Sequence, residues 1–125
     1  MIEKLMNEYM TNAATAAAVD YSDKKSVRQF NSSSDRMRAI VDEVATLGEK
    51  AVLMFTSLLD NEPAASWAAV HLVEIAELDS PTLSRCFSRV EQDKNDAEAK
   101  GALADVMIKE AWLEKWKAKK VSAKH

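Results

Sequence analysis

One cysteine and two histidines are the side chains in this 125-residue chain best suited to nucleophilic or metal chemistry. A zinc site needs three or four ligands drawn from His, Cys and carboxylate. With Cys86, His71 and the terminal His125 as the only soft or imidazole donors, such a site would lean on carboxylates, and no metal or cofactor is expected. His71 and Glu74 stand three residues apart, and Trp67 precedes His71 by four. On a helix these positions share a face. The cluster has the chemistry to hold a cation or a partner's hydroxyl; the plainer reading makes His71 a partly buried residue that orients a helix contact. Cys86 has no His or amide neighbour in sequence to activate it, and reads as a small buried apolar residue. Gly48 and Gly101 are isolated, so no phosphate-binding loop is present. No catalytic residue is assigned, and no enzymatic activity is expected.

Carboxylates are the remaining chemistry. The formal net charge of −3 conceals an asymmetry: residues 1–114 carry 12 − 20 = −8, and the last eleven carry +5 from Lys115, Lys117, Lys119, Lys120 and Lys124. Between Asp60 and Glu98 nine acids face only Arg85, Arg89 and Lys94, giving 3 − 9 = −6. If these acids sit at the turns of stacked hairpins, their fields add along one edge. Glu91, Asp93, Asp96 and Glu98 read as an acidic turn; they lack the spacing and central glycine of a calcium loop. An acidic body repels nucleic acid and attracts basic proteins. The lysines of the last segment suit a helix C-terminus, which favours cations. Trp112 and Trp116 lie four apart there; Trp112 reads as core or hairpin packing, and Trp116, among lysines, reads either as a contact anchor or as helix-end packing.

Such side chains need rigid elements to hold them, and the pattern is helical throughout. Two Gly and two Pro in the whole chain leave few breaks. Ile2, Leu5, Met6, Tyr9, Met10, Ala13 and Ala17 trace a first helical stripe. Val27, Phe30, Met37, Ile40, Val41, Val44 and Leu47 trace a second, read as one helix from about residue 23 through Ser32-Ser33-Ser34 to a stop at Gly48. Ala51, Phe55, Leu58 and Leu59 mark a short helix. Asp60-Asn61-Glu62-Pro63 and Asp79-Ser80-Pro81 each read as a turn with a capping side chain before a proline-led helix. Ala65, Ala69, Leu72, Val73 and Ala76 form the stripe of the fourth helix, and Leu83, Cys86, Phe87 and Val90 that of the fifth. The sixth is expected to start at Asn95 or Asp96, with Ala104, Met107, Ile108, Ala111 and Trp112 facing inward. No strand pattern occurs. The apolar sets recur at offsets of 32 (Ala51, Phe55, Leu58 to Leu83, Phe87, Val90) and 35 (Ala69, Leu72, Val73, Ala76 to Ala104, Met107, Ile108, Ala111), as in stacked helical repeats.

The block Asp35-Arg36-Met37-Arg38-Ala39-Ile40, then Gly48, Leu58-Leu59 and Trp67-Ala68-Ala69-Val70-His71-Leu72 resembles a family of small bacterial proteins of undetermined function with a HEAT-like helical fold. The likeness runs through most of the chain from about residue 23. Ala65 departs from it, standing where such repeats often carry an Arg. The resemblance implies a fold and no activity.

The expectation is an all-α chain of stacked antiparallel helical hairpins, a HEAT-like α-α superhelix of five to six helices. Residues 1–120 would form one helical-repeat domain and 121–125 a short polar tail. The expected core comprises Leu5, Tyr9, Met37, Ile40, Val44, Phe55, Leu58, Ala69, Leu72, Val73, Phe87, Ala104, Met107, Ile108 and Ala111. No basic-then-apolar leader opens the chain and no apolar run approaches a membrane span, so a cytoplasmic location away from membranes is expected. The expected function is that of a non-enzymatic protein-binding module with a basic protein partner, of which an immunity protein neutralising a nuclease-type bacterial toxin is one form. Glu74, Glu77, Asp79, Glu91, Asp93, Asp96, Trp67, His71 and Trp116 are its candidate partner-binding residues. The rival is a nucleic-acid accessory protein acting through the lysine-rich last helix; the body charge makes nucleic acid the poorer partner.

Overall fold

In a computed structural model the described residues, 1–122, are all-α. Six α-helices follow in order: α1 (Ile2–Ala17), α2 (Lys24–Leu47), α3 (Glu49–Phe55), α4 (Ala65–Ile75), α5 (Ser80–Ala99) and α6 (Leu103–Ser122), with a 3-10 segment (Thr56–Asp60) after α3. No helix among the described residues is long and apolar enough to cross a membrane. Of the tail expected at 121–125, residues 121 and 122 continue α6; residues 123–125 lie outside the described residues.

Helix boundaries follow local chemistry. The Asp23 carboxylate accepts from the Lys25 amide at 3.0 Å and starts α2. The Asp79 carboxylate accepts from the Thr82 amide at 2.8 Å and starts α5, with Pro81 in its first turn. At φ +107°, Gly48 swings the chain from α2 directly into α3. The turn before α4 lacks the expected cap. Asn61 donates backward to the Ser57 carbonyl at 2.9 Å, and α4 begins without a side-chain acceptor.

The start of the sixth helix is corrected. Asn95 and Asp96 are interior to α5, which runs on to Ala99. The stop is Gly101 at φ +72°, where the Ala102 amide reaches back to the Ala97 carbonyl at 2.9 Å, closing a Schellman turn. The charged segment 91–98 therefore lies on a helix, and its acids do not occupy a hairpin turn.

Short connections make chain neighbours antiparallel. α1 packs on α2, α2 on α3 and α4, α4 on α5, and α5 on α6. The core lies between α1, α2, α3 and α4, where Tyr9, Met37, Ile40, Val41, Val44, Phe55, Leu72 and Val73 are wholly buried. Leu5, Leu58, Ala69 and Phe87 are buried as expected, and on α1 Ala16 is buried while Ala17 is exposed. Of the expected α6 stripe, Trp112 alone meets the body, half-buried against the core. Leu103, Met107 and Ile108 are 71%, 70% and 65% exposed, and Ala104 and Ala111 face solvent with them. The face of α6 that meets the body carries Val106, Lys109, Trp112, Leu113, Trp116 and Lys119. The offset of 35 thus matches residues in different environments, and the HEAT-like repeat relationship loses its second half.

Candidate functional site

Three of the nine candidate residues are drawn into the fold. His71 is 3% exposed, and its Nδ1 is hydrogen-bonded to the Tyr9 hydroxyl at 2.8 Å. Tyr9 is wholly buried, edge-on to Phe55 with ring centroids 4.9 Å apart. Burial first, then the nearby Arg38 guanidinium, push the His71 imidazolium down to about 4, with the Glu74 carboxylate opposing. A neutral, buried ring whose Nδ1 is engaged with Tyr9 presents no ligand to a partner. Glu74 bridges three helices: one oxygen accepts from Arg38 Nη1 of α2 at 2.7 Å and the other from Trp112 Nε1 of α6 at 2.8 Å. Asp93 accepts from Arg89 Nε at 3.1 Å, and Arg89 also reaches Ser66 Oγ at 3.0 Å and Glu62 at 2.6 Å. His71, Glu74 and Asp93 therefore leave the set of residues offered to a partner.

The other six are accessible but not gathered. Asp79 caps α5 and Asp96 is exposed near its far end, seventeen residues on. At about 1.5 Å per residue that is roughly 25 Å of helix, so no single acidic edge runs through both. Glu91 lines an open groove of about 850 Å³ between α5 and α6, where Glu110 and Glu114 are matched by Lys94, Lys117 and Lys120. Trp67 is half-buried and lines an apolar cleft of about 310 Å³ with Val70, Val90, Ile108 and Trp112. Trp116 is half-buried, its ring overlain by Lys115 and Lys119 at 5.5 and 5.9 Å.

Glu77 and Asp79 do share a site, with a residue that sequence reasoning missed. α4 ends at Ile75, and Ala76 turns the chain out into extended backbone. That turn faces the start of α3, where Gly48 has delivered Glu49. The result is a groove of about 420 Å³ floored by Ala45, Val52, Ile75 and Leu78, with Glu49, Glu77 and Asp79 on its rim. A smaller recess of about 190 Å³ continues it past Leu53 and Thr56, with Lys50 as its one cation. Asp79 is committed to its cap; the hydrogen bonds from Thr82 hold its carboxyl below the usual range. Glu49 and Glu77 are exposed and form no ion pair among the described residues. The signal that could have found Glu49 was Gly48, which ends α2 as expected and also turns the chain at once into α3.

The lysine-rich helix is also partly engaged. Lys119 Nζ donates to the carbonyls of Val73 and, at 2.9 Å, Ala76. It thereby satisfies the free C-terminal carbonyls of α4, a neighbouring helix rather than its own. Lys120 lies 5.4 Å over the Phe87 ring. Cys86 is wholly buried and burial pushes its thiol up to about 12. No group of three or more metal-ligating side chains converges among the described residues.

No family model, curated protein or solved structure matches the chain. The resemblance read from Asp35–Ile40, Gly48, Leu58-Leu59 and Trp67–Leu72 rests on those residues alone.

Proposed function

We propose that this chain is a non-enzymatic protein-binding module that takes a basic protein partner on the acid-rimmed groove between the α3 corner and the α4–α5 turn. The observation that carries the reading is the pairing of an apolar floor (Val52, Leu53, Leu78) with carboxylates (Glu49, Glu77) that make no ion pair among the described residues, Lys50 being the one cation lining the recess. Such a surface offers desolvation at its centre and charge at its rim, which is how stable interfaces divide affinity from association rate. A toxin of the nuclease type, whose surface is basic because it holds phosphate, is the partner class this charge suits, and an immunity role follows from it. The rival use of α6 lysines for nucleic acid gains no support, because Lys119 and Lys120 are engaged against α4 and Phe87.

The test is to capture the partner on immobilised chain and then measure association with the purified pair against ionic strength. The rate should fall as the screening length contracts from about 10 Å at 0.1 M salt to about 3 Å at 1 M. Glu49→Lys with Glu77→Lys should slow association about tenfold or more at low salt, with the helical spectrum unchanged since both residues are exposed. Equal rates for the variant and the wild type would remove this groove from the mechanism.

A further inference from the structure

A helix carries a partial negative charge at its C-terminus, where the last carbonyls lack amides of their own helix. Two such ends border the acid-rimmed groove: Ala45 and Gly48 line it from α2, Ile75 from α4. The chain treats them differently. The end of α4 holds a cation, because Lys119 Nζ reaches in from α6 and donates to the carbonyls of Val73 and Ala76. The end of α2 has no basic residue in its last turn. The carbonyls of Ala45 and Gly48 accept the amides of Gly48 and Val52; no amide from outside α2 is bonded to those of Val44, Thr46 or Leu47 among the described residues. Acids stand there instead, Asp42 and Glu43 before the end and Glu49 just past it. Glu43 has Arg36 at 3.7 Å, but Asp42 and Glu49 form no ion pair among the described residues. Carboxylates at a helix C-terminus stand against its dipole. A local conflict of this kind is expected where binding relieves it. The corner is also apolar: Leu47, Leu53 and Met54 are 48%, 62% and 47% exposed.

We propose that the groove seats one lysine of the basic protein partner, its stem on Val52 and Leu78 and its ammonium between Glu49 and Glu77 at the open end of α2, with the apolar neighbours of that lysine on Leu47 and Leu53. The inference rests on the reading of the groove given above and names what the partner presents to it. Lys119 at the end of α4 is the chain's own example of the same chemistry. An ammonium suits the seat better than a guanidinium. Its three donors surround a point charge and serve acceptors that come from separate directions, whereas the planar fork of arginine is matched to the two oxygens of one carboxylate. A lysine stem also covers apolar floor while its head stays at the rim. Lys50 does not compete for the seat, because it lines the smaller recess and not the groove. Asp79 stays with the Thr82 amide that it caps and adds only its field.

The probe is a blocked peptide, acetyl-Gly-Leu-Lys-Leu-Gly-amide, titrated into the isotope-labelled full chain and followed by amide NMR. Saturable shifts at Gly48, Glu49, Val52, Glu77 and Leu78 are expected, with a dissociation constant of about 1 mM. Norleucine in place of the peptide's lysine should weaken binding about tenfold, and arginine about threefold. Glu49→Gln with Glu77→Gln should weaken the lysine peptide about tenfold, with the fold kept because both residues are exposed. Lys50→Ala should not weaken it. A lysine peptide that binds no better than the norleucine peptide overturns the proposal. So do shifts centred elsewhere, an arginine peptide that binds more tightly, or a double glutamine variant that binds as the wild type does. The proposal and the reading beneath it fail separately. If charge reversal at Glu49 and Glu77 slows the captured protein partner while the lysine peptide avoids the groove, the lysine seat falls and the groove remains the partner's site. If the peptide binds the groove while the partner is indifferent to charge reversal, the seat stands and the protein partner binds elsewhere.

Discussion

The seam that joins α1, α2 and α4 and the seat that holds α6 fasten their helices by different means. The first is dry at its centre: Tyr9, Met37, Ile40, Phe55 and Leu72 are wholly buried and Tyr9 pairs with His71, while the ion pairs Arg36–Glu8 and Arg38–Glu74 close its margins. The second is mostly discrete polar attachments. Trp112 donates to Glu74, Lys119 donates into the end of α4, and Trp112, Leu113 and Trp116 are only half-buried. Burial is non-directional and roughly proportional to area, so it fixes a helix by volume. A hydrogen bond fixes it by position and contributes about 1 kcal/mol net. The comparison teaches that the α1–α4 body carries the stability while α6 is located rather than buried.

The largest effect expected from this difference is in the dry seam. Leu72→Ala should cost about 2–5 kcal/mol, since the site is closed on all sides and cannot collapse freely. Urea unfolding monitored by circular dichroism reads it. A cost below about 1 kcal/mol would mean that the seam is loosely packed and the contrast with α6 is lost.

The second effect separates the regions by pH. His71 is held neutral with its imidazolium near 4 against an ordinary 6.5, chiefly by burial. Between those values the unfolded chain takes up a proton that the folded chain refuses, so stability falls as pH drops. The contribution is fully present above about pH 6.5 and is lost progressively toward pH 4, amounting to about 3 kcal/mol. His71→Asn, whose amide can donate to or accept from the Tyr9 hydroxyl, should flatten the slope of unfolding free energy across that window. A slope identical in wild type and variant would place the acid sensitivity elsewhere.

The same contrast explains what the sequence made legible. In α1, α2 and α5 one face is apolar and the other polar, so periodicity names the buried face, and α4 is apolar nearly all round and buried on most sides; the core follows, with Leu5, Tyr9, Met37, Ile40, Val44, Leu72 and Phe87 all inside. α6 carries two apolar faces, and periodicity cannot choose between them. Ala104, Met107, Ile108 and Ala111 make the more regular stripe, yet the inward face is set by the partners of Trp112 and Lys119, which are 38 and 43 or more residues away in sequence. Candidate site residues failed for a related reason. Glu74 and Asp93 read as surface charge because Arg38 and Arg89 reach them across the fold or along a helix that sequence ended too early. The placement of Glu77 and Asp79 at the α4–α5 turn was legible because turn chemistry is local; that of Glu49 beside them was not, because it depends on how Gly48 turns the chain.

The smallest expected effect is the most direct check of which face of α6 meets the body. If the regular stripe faced inward, Met107→Ala would open a cavity and cost about 2–5 kcal/mol, as for other buried Met. With Met107 70% exposed, the same change should alter the unfolding free energy by no more than about 0.5 kcal/mol. The variant should unfold with the wild type. Trp112→Ala supplies the opposing case. It removes the packing against Phe87, with ring centroids 5.4 Å apart, and the N–H that Glu74 accepts. Glu74 keeps Arg38 as a partner, so the loss should approach but not exceed the roughly 3–5 kcal/mol of a buried Trp. Amide exchange gives an independent reading: Trp112→Ala should release α6 amides to exchange while those of α2 and α4 stay protected, because the dry seam holds without α6. Should Met107→Ala prove the costlier of the two, α6 would be turned over, its lysine would not reach the end of α4, and the outer face would be Trp112 and Trp116 instead.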